Sequence, residues 1–110
     1  MNDAPDLGLC SASEPFALRV IGAEMAPEFR DGQILIVDPG GRLTSGCYVI
    51  ARLDGEMIFR QLLIEQDDWI LHALDPAPAD IPLTNRVADI VGVVSQRSGR
   101  RRSEHKRYDV

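Results

Sequence analysis

Apolar and polar residues alternate in short runs along most of this chain, a pattern typical of β-strands. Turn-favouring Gly, Pro and Asp residues lie between most of the runs. No segment keeps the 3.6-residue period of a long helix. The strands that this pattern predicts cover residues 16–21, 33–37, 47–53, 56–64, 69–74 and 87–95. The sequence therefore predicts an all-β domain of six or seven strands.

The most distinct turn in the pattern is the pair Asp54-Gly55, which lies between two of the predicted strands. Asp-Gly at such a place is a strong signal for a two-residue hairpin. A hairpin fixes the register of the strand that follows, so that Arg60 shares a strand face with the aliphatic residues Ile58 and Leu62.

Two shorter segments break the strand pattern. Residues 25–30 contain Pro27 and are too few for a full helix, so we expect a single helical turn whose Met25 and Phe29 fill the core. Residues 75–82 contain three prolines, which predicts an extended crossing on the surface.

Length and composition exclude several classes of protein. A chain of 110 residues corresponds to one domain. Its two cysteines, Cys10 and Cys47, belong to no Cys/His cluster, so we expect no disulfide framework, metal or cofactor. Cys47 is interpreted as a small strand residue. His72, without an acidic neighbour in sequence, is interpreted as a strand-face residue. No apolar run is long enough for a signal peptide or a membrane span, which predicts a cytoplasmic protein that does not bind membranes.

Charge is distributed unevenly along the chain. Residues 1–96 have a net charge of -9 and residues 97–110 a net charge of +4. Because an acidic body repels phosphate, only the basic end can bind nucleic acid. The candidate contacts there are Arg100, Arg101, Arg102, Lys106 and Arg107. We expect an irregular leader at 1–15, a β domain at 16–96 and a flexible basic tail at 97–110.

The first predicted strand runs into Gly22-Ala-Glu-Met-Ala-Pro27, and the segments 31–38, 46–56 and 92–94 follow in order. From about residue 16 to residue 94 the chain resembles the LexA and UmuD type of self-cleaving proteins, in which a strand leads into Gly-x-Ser-Met-x-Pro. The resemblance implies a LexA-like folded, pseudo-barrel β-sheet. It also implies that Gly22, Met25 and Pro27 are the motif residues retained here.

Both catalytic positions implied by the resemblance are altered. Glu24 stands where the family has its nucleophilic Ser, and Arg60 where it has its Lys base. A carboxylate attacking an amide would give a labile anhydride, and a guanidinium keeps its proton at any working pH. We therefore predict a pseudo-peptidase in which Glu24 and Arg60 form an ion pair. The alternative is a residual serine peptidase with the motif misaligned, using Ser11, Ser13 or Thr44.

The resemblance implies a role in protein association, with the last strand of the domain as the usual contact. An apolar last strand would offer a free edge to a second copy, so we expect a homodimer. The predicted dimer edge consists of Ile90, Val91, Gly92, Val93 and Val94. Other expected partners are a LexA-like repressor, a subunit of a damage-response polymerase in the SOS response, or a recombinase filament. A regulator that binds nucleic acid through the basic tail is the alternative from another class.

Overall fold

One antiparallel sheet of eight strands is the main architectural element of the computed structural model, which describes residues 14–108. The strands are β1 (Phe16–Arg19), β2 (Ile34–Asp38), β3 (Tyr48–Leu53), β4 (Glu56–Glu65), β5 (Asp68–His72), β6 (Ile81–Pro82), β7 (Ile90–Ser98) and β8 (Lys106–Arg107). Two 3₁₀ helices, Val87–Asp89 and Arg102–Glu104, precede and follow β7. The predicted all-β, LexA-like class is confirmed. Within residues 14–108, no helix has the length and apolar character needed to cross a membrane.

The hairpin predicted at Asp54-Gly55 is confirmed. Both residues have positive φ angles, 52° and 85°, and Leu53 pairs with Glu56 directly beside them. Two successive positive φ values are those of the turn that matches the twist of a tight hairpin. The next turn, between β4 and β5, consists of Gln66 and Asp67, and Gln66 has a φ of 58°.

The sheet does not follow the order of the sequence. Its strands lie in the order β1-β2-β7-β3-β4-β5-β6, and β8 pairs with β7. The segment Ile90–Val94 therefore lies in the interior, with Val93 opposite Asp38 of β2 and Val49 of β3. The predicted dimer edge is wrong, because the strand that is nearly last in sequence is central in space. Within the described residues, β1 and β6 end the main strand order instead.

Two apolar clusters fill the core, and neighbouring residues of β3 and β7 contribute to different clusters. Val49 and Val93 belong to one, while Ile50 and Val94 belong to the other. Both strands are thus buried on both faces, which explains their nearly continuous aliphatic sequences. Met25 and Phe29 are buried in the second of these clusters, as predicted.

Residues 97–108, expected to belong to a flexible tail, are folded against the sheet. β7 extends to Ser98, and β8 pairs back onto it through Gln96↔Arg107 and Arg97↔Lys106. The predicted strand 87–95 is therefore divided into a 3₁₀ helix and a longer β7. We call residues 97–108 the C-terminal ribbon.

Candidate functional site

A cleft of about 470 Å³ lies between β1 with the loop after it and the first half of β4. Leu18–Gly22 lines one side and Glu56–Arg60 the other. Met25, which is buried, also lines it. Two apolar side chains among the lining residues are exposed, Ile21 at 83% and Met57 at 43%. The cleft therefore presents apolar surface that is available for contact.

Both strands that border the cleft have an unpaired edge there. β1 pairs with β2 alone, and β4 pairs with β5 only from Gln61 onward. On each side of the cleft, five consecutive residues line it. Successive side chains of a strand point to opposite faces, so five residues in a row line a cleft only where the backbone itself borders it. Strand edges thus border the cleft, with backbone groups available for pairing.

Local hydrogen bonds hold the loop that carries the motif. The Gly22 N–H donates to Oδ1 of Asp31 at 2.7 Å, and the Asp75 N–H donates to the Glu24 carbonyl at 3.0 Å. The Phe29 N–H donates to the Met25 carbonyl at 2.9 Å, which closes the single helical turn that was predicted. Gly22 has a φ of 96°, and a Cβ there would collide with the Glu24 carboxylate. The positive φ is what favours glycine here, since the Glu24 side chain could move to make room for a Cβ.

Glu24 and Arg60 line the same cleft, as the resemblance implied, but they do not form a salt bridge or hydrogen bond with each other. The Glu24 carboxylate lies over Gly22 of its own loop. The Arg60 guanidinium donates from Nη1 to the neighbouring Phe59 carbonyl at 2.8 Å. The predicted ion pair is therefore wrong for this structure, since each side chain folds back on its own segment.

The Arg60 guanidinium retains an unused donor. Its Nε is buried and has no acceptor among the described residues. Leaving such a group unpaired costs about 1–3 kcal/mol.

Among residues 14–108, no Ser, Thr, Cys, His or Lys lines the cleft. Thr44, one of the alternative nucleophiles, does not border it, and Ser11 and Ser13 lie outside the described residues. The polar side chains that do line it are guanidinium and carboxylate groups, which can donate and accept hydrogen bonds respectively.

A second polar cluster, which we call the Glu28 cluster, consists of Glu28, Arg97, Lys106 and Tyr108. Oε2 of Glu28 accepts hydrogen bonds from the Tyr108 hydroxyl at 2.7 Å and from Nζ of Lys106 at 2.8 Å. Nη1 of Arg97 donates to the same oxygen at 3.3 Å and also to the Glu28 carbonyl. The cluster fastens the C-terminal ribbon to the residue that follows Pro27 of the motif.

The contacts of the Glu28 cluster shift the pKa of two of its members. The hydrogen bond from Lys106 is the main cause that lowers the pKa of Glu28. Burial, followed by the hydrogen bond to Glu28, raises the pKa of Tyr108. Sequence reasoning missed this cluster because its residues are about seventy to eighty positions apart; the one available signal was an aromatic residue, Tyr108, in a basic segment.

A buried glutamine makes a second attachment for the ribbon. Gln33, 5% exposed, donates from Nε2 to Oε1 of Glu104 at 3.0 Å and accepts from the Arg30 N–H at 2.8 Å. Nε of Arg97 donates to the Glu104 carbonyl at 2.8 Å. The ribbon is therefore held at both Glu28 and Gln33.

The remaining candidates lie outside these two sites. His72 has an acidic partner that the sequence did not reveal, because Nδ1 lies 2.7 Å from Oδ1 of Asp80 across the proline-rich loop. Both side chains are substantially exposed, so the pair is a surface contact. Burial raises the pKa of the Cys47 thiol, which favours its unreactive form. Residues 14–108 contain no group of three His, Cys, Asp or Glu side chains placed to hold a metal ion.

Comparison with known proteins gives a family match and similar curated proteins. The model of the Peptidase S24-like family matches residues 5–95. Two similar curated proteins are the HTH-type transcriptional regulators for conjugative element R391 of Providencia rettgeri and for conjugative element SXT of Vibrio cholerae. Each is 39% identical over 88 residues, which cover 74% of this chain and 40% of the relative. The chain thus spans well under half the length of these relatives.

Proposed function

The chain belongs to the Peptidase S24-like family, and we propose that it is a non-catalytic member whose cleft binds an extended segment of a repressor-type protein. The relatives it resembles are transcriptional regulators of conjugative elements. A regulator of that kind is the partner proposed here. The proposed role of the chain is to control a catalytically active relative by binding to it.

The observation that carries this proposal is the pair of free strand edges at the cleft. A segment inserted between β1 and the first half of β4 can add backbone hydrogen bonds on both of its sides. Strand addition of this kind supplies affinity through main-chain bonds and selectivity through side-chain pockets. Ile21 and Met57, both exposed, supply apolar contacts.

The identities of Glu24 and Arg60 support the non-catalytic part of the proposal. In the family a Ser attacks a peptide carbonyl after a Lys removes its proton. Arginine does not accept a proton at working pH, and a carboxylate does not give a stable acyl intermediate with an amide. These two residues therefore suit recognition of a peptide and not its hydrolysis.

Binding is tested by mixing the chain with the full-length R391 regulator and measuring sedimentation velocity over a concentration series. We expect a mixed complex, and we expect Met57→Glu to weaken it by roughly 10-fold or more, because a charge would be buried on the cleft wall. The matched control is Val87→Glu, since Val87 is also an exposed large apolar residue but does not line the cleft. Equal weakening by the two substitutions, or the absence of a complex, would count against the cleft.

Absence of self-cleavage is a separate prediction. The purified chain is expected to keep a single full-length mass after prolonged incubation at about pH 9, a condition that favours deprotonation of a lysine base in active relatives. This pH stays below the ordinary tyrosine value of 10.0, so that Tyr108 keeps its proton. Mass spectrometry is the readout. A discrete fragment that Glu24→Gln abolishes would show that the chain is an enzyme after all.

A further inference from the structure

The C-terminal ribbon contains six basic residues, of which the Glu28 cluster uses two. Arg97 and Lys106 both contact the Glu28 carboxylate. Lys106, which the sequence suggested as a contact for nucleic acid, is therefore already paired within the protein. The other four are exposed and, within residues 14–108, none forms a salt bridge: Arg100, Arg101, Arg102 and Arg107. We call these four exposed cations the arginine face; residues 100–102 follow β7, and Arg107 lies on β8, which pairs back onto β7.

The single acidic residue in the ribbon, Glu104, offsets one of the four positive charges of these arginines. Both carboxylate oxygens of Glu104 accept hydrogen bonds, Oε1 from Gln33 at 3.0 Å and Oε2 from the Arg101 N–H at 3.1 Å. The bond from Gln33 is the main cause that lowers the pKa of Glu104, so the carboxylate stays ionised while committed to these local contacts. The outward charge of the ribbon is therefore positive.

Backbone hydrogen bonds order the main chain that carries these arginines. Arg107 pairs with Gln96 of β7, and the Tyr108 N–H donates to the Ser95 carbonyl at 2.9 Å. The 3₁₀ helix Arg102–Glu104 is closed by backbone bonds from Glu104 and His105. The cations are thus presented on an ordered support, which lowers the entropy lost when a ligand binds.

We propose that the arginine face binds the phosphate backbone of nucleic acid. A guanidinium presents a planar pair of donors that matches phosphate oxygens, and interfaces with nucleic acid are polar and strongly positive. An interface with an acidic protein would need an apolar or aromatic centre, and the segment Gly99–Arg107 contains no such side chain. Phosphate therefore fits this surface better than a protein does.

The proposed contact between the arginine face and phosphate does not recognise base sequence. Tyr108, the aromatic residue of the ribbon, packs against Phe29 and donates its hydroxyl to Glu28, so it is not free to stack on a base. Contacts to phosphate position a protein without specifying sequence. Residues 1–96, with a net charge of -9, repel the same polyanion and confine it to the ribbon. This activity is independent of the peptide cleft and does not depend on the function proposed above.

Fluorescence anisotropy with a labelled duplex DNA of arbitrary sequence, measured between about 20 and 200 mM salt, tests the proposal. Four phosphate contacts predict a slope of log K against log salt of about -3 to -4. A duplex of unrelated sequence is expected to bind equally well. Absence of binding at the lowest salt, or binding that salt does not weaken, would overturn the proposal.

Two double variants that remove the same charge locate the site. Arg100→Gln with Arg102→Gln is expected to reduce the magnitude of the salt slope by about 2, while Arg42→Gln with Arg52→Gln, both exposed positions outside the ribbon, is expected to leave it unchanged. Arg107→Gln alone is expected to reduce it by about 1. Thermal unfolding confirms that each variant is folded. Equal loss in the two double variants would show that the attraction is diffuse and not a property of the arginine face.

Discussion

Replacement of Phe29 by alanine is expected to lower the free energy of unfolding by about 3–5 kcal/mol. The Phe29 ring is 0% exposed, and its centroid lies 4.7 Å from that of Tyr48, 4.8 Å from that of Phe59 and 5.4 Å from that of Tyr108. The contacts with Tyr48 and Phe59 are edge-on, and such pairs add about 0.5–1.5 kcal/mol each beyond the area they bury. Alanine would leave a cavity at the point where the motif loop, the sheet and the ribbon meet.

Urea denaturation followed by circular dichroism measures this loss. Phe29→Leu is the first control, since it keeps most of the volume and is expected to cost less than Phe29→Ala. Val87→Ala is the second, because Val87 is 37% exposed and a surface substitution usually changes stability by less than about 0.5 kcal/mol. A loss for Phe29→Ala no larger than that for Val87→Ala would contradict the central packing role of this ring.

The parts of the fold that local sequence predicts are those set by neighbouring residues. Asp54-Gly55 forms its hairpin because two positive φ angles suffice for that turn, whatever lies elsewhere in the chain. The position of β7 within the sheet depends instead on which strands pair with it. An aliphatic run such as Ile90–Val94 is typical of a strand buried on both faces, but sequence order suggested an edge. The residues of one segment do not determine which distant strands pair with it. The dimer edge was therefore predicted at a strand that lies inside the sheet.

The candidate site was likewise predicted only in part from the sequence. The motif spacing brought Glu24 and Arg60 to one cleft, because the loop after β1 and the strand β4 that carry them are set by the family fold. It did not predict the orientation of their side chains, which follows short-range contacts with Gly22 and Phe59. The Glu28 cluster depends on β8 returning to β7. No periodicity within residues 97–110 indicated that return.

The cleft and the C-terminal ribbon share a structural support. Glu28 and Phe29 directly follow the motif, and both contact Tyr108 of the ribbon. Arg97 reaches the same turn, through the Glu28 carboxylate and at 6.0 Å from the centre of the Phe29 ring. A ribbon that leaves its place therefore removes contacts from the turn that positions Met25 in the cleft.

Glu28→Gln is expected to loosen the ribbon by weakening its hydrogen bonds from Lys106, Tyr108 and Arg97. Hydrogen bonds to a charged group contribute about 1.5–3 kcal/mol. The pKa of Glu28 is lowered from 4.5 in the folded protein, so the carboxylate stabilises the fold above that value and the contribution is lost as pH falls through the folded-state pKa. The variant should therefore be less stable at neutral pH and lose less stability on acidification.

Amide hydrogen exchange is the sharpest measurement of this effect, because the Tyr108 N–H is bonded to the Ser95 carbonyl at the end of the ribbon. At neutral pH this amide is expected to exchange roughly 10-fold faster or more in Glu28→Gln, the equivalent of about 1.4 kcal/mol, while amides of the β3–β4 hairpin change less. Glu65→Gln is the matched control, since Glu65 is exposed and forms no salt bridge among the described residues. If Tyr108 exchanges at the same rate in both variants and in the parent chain, Glu28 does not hold the ribbon in place.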